Sequence, residues 1–280
     1  MVTYTSFAVI GAGSLGTHVV NELLKRKVSV KVLTRDDTKP AFAVFKENGA
    51  TIVKVDYSNE EELKNVLTGV QVVVSTISQF GLDAQVPIAK LAKAAGVQLF
   101  VPAEYGVYVT EGFTYHKKVV QDALKGLDLP YTIFYTGFFA ESFHMVPDYD
   151  FVGGKMRVVG TGDVAQSMTS RLDIARFVAH TITTAEPSDL AWTKIPIEGD
   201  RKTHKEIAAI VEKKFGNPVK IELVDLEETR KSFNTDPFAF FATLIADGRA
   251  VSGTEEDVKA AITKFFPDWN PQSFEEVVQI

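Results

Sequence analysis

Residues 7–16 read Phe-Ala-Val-Ile-Gly-Ala-Gly-Ser-Leu-Gly, and the fold follows from them. Phe7–Ile10 is an apolar run long enough for a buried strand, and Thr17–Leu24 has the spacing of a helix. Between them, Gly11, Gly13 and Gly16 stand in G-x-G-x-x-G order. Glycines reach that spacing by chance, but a strand before and a helix after give it force. Gly11 permits a tight turn, Gly13 lets the backbone approach a pyrophosphate, and Gly16 lets helix and strand pack closely. The free N–H groups of Ser14, Leu15 and Gly16 at the helix start then face phosphates. A glycine-rich turn with no ligand is the alternative.

Strand and helix patterns alternate onward from this turn. Val28–Leu33 is the second strand; a helix starts near Pro40 and stops at Gly49; Thr51–Val55 is the third strand. Ser58–Glu61 has capping-box spacing and opens a helix through Leu67. Gln71–Thr76 is a β-branched strand, Leu82–Ala95 a helix, Val97–Val101 the fifth strand, Thr114–Lys125 a helix and Tyr131–Tyr135 the sixth strand. That succession predicts an α/β fold with a doubly wound parallel sheet.

After Tyr135 the rhythm changes. An aromatic, irregular stretch through Tyr149 leads to a hairpin over Asp150–Gly160, a helix over Ser170–Thr183 and a strand at Trp192–Ile197. A second capping box stands at Thr203–Glu206, Pro218–Val224 is strand-like, and the chain from Glu227 reads as largely helical. The expected division is a dinucleotide-binding domain at 1–136, with later sheet and helix additions from about 170–198, and a smaller, mixed α/β C-terminal substrate lobe at 137–280.

Composition narrows the partners. The 280 residues are 45% hydrophobic and 24% charged, ordinary for a globular chain with an adequate core. A net charge of −6 without a basic block argues against nucleic acid, which needs clustered Lys and Arg. The absence of cysteine removes disulfides, thiolate zinc sites and cysteine nucleophiles. The five histidines, at 18, 116, 144, 180 and 204, show no ligand spacing, so no metal is expected. A strand begins within six residues with no signal-peptide pattern, and no apolar run approaches the ~18 residues of a membrane helix. The expectation is a cytoplasmic protein, monomer or homodimer, acting on a small molecule.

The second strand ends Leu33-Thr34-Arg35. An acidic residue at that place suits the ribose of NAD, whereas an arginine accommodates the 2′-phosphate of NADP. Arg35 therefore favours NADP(H) over NAD(H), although Asp36, one residue on, offers a carboxylate to a ribose. Ligands in such folds sit at the carboxyl ends of the strands. Thr76, Ile77, Ser78 and Gln79 after strand four, and the Pro102–Gly106 loop after strand five, are the candidate lining. On the following helix, Val119, Val120, Ala123, Leu124 and Leu127 project as one apolar stripe. Lys117 lies on its flank, placed to reach the crevice; Lys118 points to water; His116 projects near the stripe's middle, as a packed core histidine or a pocket residue.

With these strings in view, the chain resembles the NmrA-like and isoflavone-reductase-like family of atypical short-chain dehydrogenases. The resemblance rests on GAGSLG, VLTR, FVPAEYG at 100–106, HKKVVQDALKGLDLPYTIFYTGFFAE at 116–141 and DIARFVA at 173–179. It implies a Rossmann-type fold and a catalytic lysine thirteen residues before the Pro-Tyr-Thr of strand six, which is Lys117. Lys117 would anchor the nicotinamide ribose and act as acid or electrostatic catalyst for hydride transfer from NADPH to a small apolar or aromatic carbonyl or enone. Pro102, Gly137 and Phe138 join the expected cofactor contacts, and Tyr105, Phe139, Phe143 and His144 the substrate pocket. Two departures stand out. Phe113 occupies the place of the tyrosine in Tyr-x-x-x-Lys, and Gly137 that of an asparagine in the plant reductases. The rival function is a non-catalytic NAD(P)-binding redox sensor or regulator of the NmrA type.

Overall fold

The computed structural model describes residues 3–279, with Gln79 and Phe80 described in their backbone alone. The chain forms two compact units: 3–104, His116–Phe134 and Ile174–Ile195 in the first; Tyr105–Tyr115, Tyr135–Asp173 and 196–279 in the second.

In the first unit, strand β1 (Ser6–Ile10) is buried from Phe7 onward and leads through the glycine turn into helix α1 (Ser14–Lys25). Leu15, Val19, Val20 and Leu23 give α1 a buried face at helical spacing. Then follow β2 (Ser29–Thr34), α2 (Ala41–Glu47), β3 (Thr51–Lys54), α3 (Glu60–Leu67), β4 (Val72–Ser75), α4 (Gln85–Ala94) and β5 (Leu99–Val101). The strands form one parallel sheet in the order β3-β2-β1-β4-β5. Strand order therefore reverses between β1 and β4, and the carboxyl ends of these two strands carry the glycine turn and the Thr76 loop.

Three local expectations shift, each for a physical reason. The N-cap of α3 is Asn59, which accepts from the Glu62 N–H at 3.2 Å; Ser58 is diverted, its hydroxyl donating to the Asp56 carboxylate at 2.7 Å. A 3₁₀ turn over Gln79–Ala84 precedes α4, which begins only at Gln85. A helix starting at Leu82 would put Pro87, which lacks an N–H, in its interior, whereas from Gln85 it falls in the first turn. The sixth strand does not extend the five-strand ladder. After α5 (Tyr115–Gly126), β6 (Thr132–Tyr135) meets β5 only at a bridge between Phe100 and Tyr131, because β5 ends at Pro102, which has no donor for a ladder.

The second unit contains β7 (Phe138–Phe139), β8 (Tyr149–Asp150), β9 (Lys155–Val159) and β10 (Ala165–Thr169). Helix α6 (Arg171–Thr184), the short α7 (Pro187–Leu190) and β11 (Thr193–Pro196), which pairs with β6, return the chain to the first unit. The second unit resumes with β12 (Asp200–Thr203), α8 (His204–Phe215), β13 (Lys220–Val224), α9 (Leu226–Arg230), α10 (Pro237–Ala246), α11 (Glu255–Phe265) and α12 (Phe274–Val277). Its sheets run β12-β10-β7 and β13-β9-β8, with β8 and β9 the antiparallel arms of the hairpin. The capping box at α8 forms, Thr203 and Glu206 each satisfying the other's backbone N–H. Phe143, Phe151, Met156, Ile207, Val211 and Phe274 fill one core, and Phe240, Leu244 and Val107 anchor another.

Candidate functional site

The turn after β1 is built by close approach. Gly11 has φ +90°, a backbone state that favours glycine, and its N–H donates to the Leu33 carbonyl at 3.3 Å. A Cβ on Gly16 would lie 2.0 Å from the Gly11 oxygen and 2.4 Å from the Thr76 hydroxyl, which itself donates to the Gly11 carbonyl. Gly13 is different. It is the exposed N-cap of α1 with φ −87°, and a Cβ added there meets nothing within 4 Å. No side chain caps α1, and its first turn carries no acidic residue. The residues present thus fit a dinucleotide phosphate: open space over a positively polarised helix start, with no competing carboxylate. Ser14 is exposed beside that space, while Leu15 turns inward to the core.

At the end of β2, buried Thr34 donates to the Asp36 carbonyl at 2.8 Å and leaves Arg35 exposed. The Tyr57 hydroxyl donates to the Leu33 carbonyl at 3.0 Å. Burial pushes that phenol to about 12, and the positive charge of Arg35 pulls against the rise. Asp36, the competing ribose ligand in the sequence reading, is occupied. Its carboxylate takes both the N–H and the hydroxyl of Thr38, at 3.0 and 2.6 Å, and these bonds hold it below the usual carboxylate range. Thr76 and Ile77 are half-buried and Ser78 is exposed, all on the chain leaving β4; the side chain of Gln79 lies outside the described residues.

The loop after β5 and the helix α5 bring a buried ion pair together. Pro102 and Ala103 are buried, and the Ala103 N–H donates to the buried Gln85 side chain at 2.8 Å, tying the loop to α4. Glu104 follows, 4% exposed. Lys117 Nζ donates to the Glu104 backbone carbonyl and lies 3.8 Å from its Oε2. Gln121 Nε2 donates to Oε1 at 2.9 Å. Burial lowers the proton affinity of the Lys117 amine while Glu104 raises it; burial raises the Glu104 carboxyl while Lys117, Gln121 and Lys194 lower it.

Three expectations about α5 are corrected. The buried positions are Val120, Gln121 and Leu124, with Val119, Ala123 and Leu127 only half-buried. Lys117 stands three, four and seven residues from those positions, so it lies on the buried face rather than on its flank. His116 is no core residue. Its side chain is 54% exposed, and Nδ1 lies 2.6 Å from the Asp83 carboxylate. Gln121, a polar residue outside the apolar stripe, is buried because its amide donates to the Glu104 carboxylate. Lys118, expected to reach only water, pairs with Asp122 one turn on.

The remaining candidates belong to the second unit. Tyr105 is buried at φ +28°, and its hydroxyl has no hydrogen-bond partner among the described residues. Gly137, at φ +66°, lies so close to β10 that a Cβ would be 2.2 Å from the Ser167 oxygen. Phe138 meets Phe143 and Phe241 edge-on at 6.4 and 5.8 Å, and the Arg171 guanidinium stacks 4.7 Å over Phe139. Phe143 is 4% exposed within the core, and His144 is exposed. Among the described residues, no three His, Cys, Asp or Glu side chains gather as a metal site, and no helix is long and apolar enough to cross a membrane.

Residues 5–278 match the NmrA-like family. The chain belongs to this family. Among curated relatives, it is 29% identical over 230 residues to the asnovolin J 5′,6′-dehydrogenase of Aspergillus novofumigatus, covering 75% of this chain and 68% of that one. It is 23% identical over 269 residues to the isoflavone reductase of Pisum sativum, covering 85% and 84%. Among solved structures, it resembles the binary complex of leucoanthocyanidin reductase with NADPH from Vitis vinifera, with TM-score 0.81, 19% identity and coverage of 96% and 97%. That likeness is one of fold.

Against this family background the two departures acquire structural reasons. Phe113 of this NmrA-like chain carries no hydroxyl and packs edge-on against Phe240 at 5.7 Å. Gly137 has no room for a side chain. Sequence reasoning placed Glu104 only within the candidate lining loop and missed both its pairing with Lys117 and the part Gln121 plays in it. The available signal was a glutamate in an otherwise small and apolar loop, and a glutamine one helical turn beyond Lys117.

Proposed function

We propose that the chain is an NADPH-dependent reductase that delivers hydride to a small apolar or aromatic carbonyl, enone or related substrate. The observation that carries this is Lys117: a lysine amine buried against a carboxylate, in the unit that also presents the open glycine turn. Gly11, Gly13 and Gly16 would hold the pyrophosphate with Ser14 and Leu15 N–H groups, Arg35 the 2′-phosphate, and the chain from Thr76 to Gln79 and Pro102 the rest of the dinucleotide. Bound NADPH would supply the hydride. Lys117 would hold a proton at Nζ and stabilise, then protonate, the anion that develops on the substrate. The aromatic character of Tyr105 and Phe139, two of the expected substrate contacts, suits an apolar or aromatic substrate. The relatives' names, a dehydrogenase and a reductase, support redox chemistry.

The test is NADPH consumption by purified protein against enones, aryl ketones, imines and quinones, with Lys117→Ala alongside. Turnover that falls by about 10²–10⁴ in the variant, with NADPH binding retained, is the expected result. Tight NADPH binding with no turnover on any substrate overturns the reductase and leaves the dinucleotide sensor.

A further inference from the structure

We propose that Glu104 is the positioning residue of Lys117: its backbone carbonyl and its carboxylate together fix Nζ and keep the amine protonated at neutral pH. The consequence for catalysis rests on the reductase reading; the pairing does not.

Three features make Glu104 more than a neighbour. First, the carboxylate is presented by a pinned loop, since the preceding residue's N–H is bound by the buried Gln85. Second, its orientation is set by Gln121, which takes Oε1 and turns Oε2 toward the amine. Third, Oε2 is buried without a hydrogen-bond partner among the described residues. A buried carboxylate oxygen with no donor is unfavourable unless a nearby cation compensates it. Lys117, 3.8 Å away and only 12% exposed, is that cation.

Few other charges act here. Lys194, from β11, adds positive charge toward Glu104, and Glu104 is the charge that bears on Lys117. On the helix itself, Lys118 is engaged by Asp122, and His116 by Asp83. Burial alone favours the neutral amine, so the carboxylate decides whether the proton stays. When Nζ passes its proton to a substrate anion, one N–H bond breaks and one O–H or C–H bond forms. The amine left behind, still facing an anionic carboxylate, regains a proton from solvent.

Gln121 and Lys117 also divide the labour in a way the helix explains. They are four residues apart, hence on one face, and both reach Glu104: Lys117 Nζ donates to its backbone carbonyl and faces Oε2 at 3.8 Å, and Gln121 Nε2 donates to Oε1. Glu104→Gln keeps shape and hydrogen-bonding capacity while removing the charge.

The experiment follows the Lys117 Nζ resonance by NMR in protein labelled with ¹⁵N-lysine, assigned by its loss in Lys117→Met, without cofactor or substrate. In the wild type the amine should titrate above neutrality. In Glu104→Gln the midpoint should fall by about one pH unit or more, and in Glu104→Asp by less. The alkaline limb of kcat should move in the same direction in each variant. A wild-type midpoint at or below pH 7, or a midpoint unmoved in whichever of the two variants is folded by circular dichroism, overturns the proposal. A moving midpoint in a protein that reduces nothing leaves the pairing standing and removes the reductase reading. Turnover whose pH limb ignores Glu104 does the reverse.

Discussion

Alanine at Gly13 and alanine at Gly16 should damage this protein in different currencies. Gly13 has φ −87° and ψ −155°, open to any residue, and its added Cβ meets nothing within 4 Å. The fold therefore loses little, on the order of 0.5–1 kcal/mol for replacing an N-cap glycine. The methyl group instead occupies the space over the α1 N-terminus where a pyrophosphate would approach. Displacing one charge-assisted hydrogen bond to phosphate costs about 1.5–3 kcal/mol, or roughly ten- to hundredfold in NADPH affinity. At Gly16 the added Cβ would be 2.0 Å from a backbone oxygen, which cannot swing aside as a side chain can. The turn itself must move, and overpacking of this kind costs about 1–3 kcal/mol of stability before any ligand is added. Fluorescence titration with NADPH at fixed salt, beside urea unfolding of each variant, separates the two effects. A Gly13→Ala protein with wild-type unfolding midpoint and wild-type NADPH affinity would refute the phosphate-cradle reasoning outright.

Other expectations follow from the same geometry. Arg35→Ala should weaken NADPH binding by about tenfold or more while leaving NADH binding nearly unchanged, since on the proposed reading only the 2′-phosphate would meet the guanidinium; competition titrations at two salt concentrations check it. His204, buried beside the Tyr149 hydroxyl, is held neutral, its pKa lowered by burial from 6.5 to about 4. The unfolded chain takes up a proton below pH 6.5 while the folded chain does not until about pH 4. The stability from this group is therefore complete above pH 6.5 and lost as pH falls toward 4, about 3 kcal/mol in all. Urea unfolding of wild type and His204→Gln at pH 7 and 4.5 should show the shallower pH dependence in the variant.

The order of strands and helices was legible because it is written locally. A buried β-branched strand, a glycine turn and a helical stripe each occupy fewer than fifteen consecutive residues, and periodicity reads them directly. The lost details are those decided by competition or by distance. Ser58 and Asn59 are both good caps, and Asp56, two residues upstream, decides between them by taking the serine hydroxyl. The sixth strand has the right composition, yet its pairing is settled by the length of β5 and by Pro102, a residue of another segment. The stripe on α5 failed for the same reason in sharper form. Polarity marks a residue as outward only when no partner waits inside, and the partner of Gln121 is seventeen residues away. The spacing to Pro130 singles out Lys117, but its charge cannot be read from its own helix. An amine in that position without Glu104 would face burial alone and tend to the neutral form; with Glu104 it has a counter-ion whose second oxygen has no hydrogen-bond partner among the described residues. The pairing of Glu104 with Lys117 joins a strand-end loop to a helix thirteen residues on, and only the folded chain brings the two within reach.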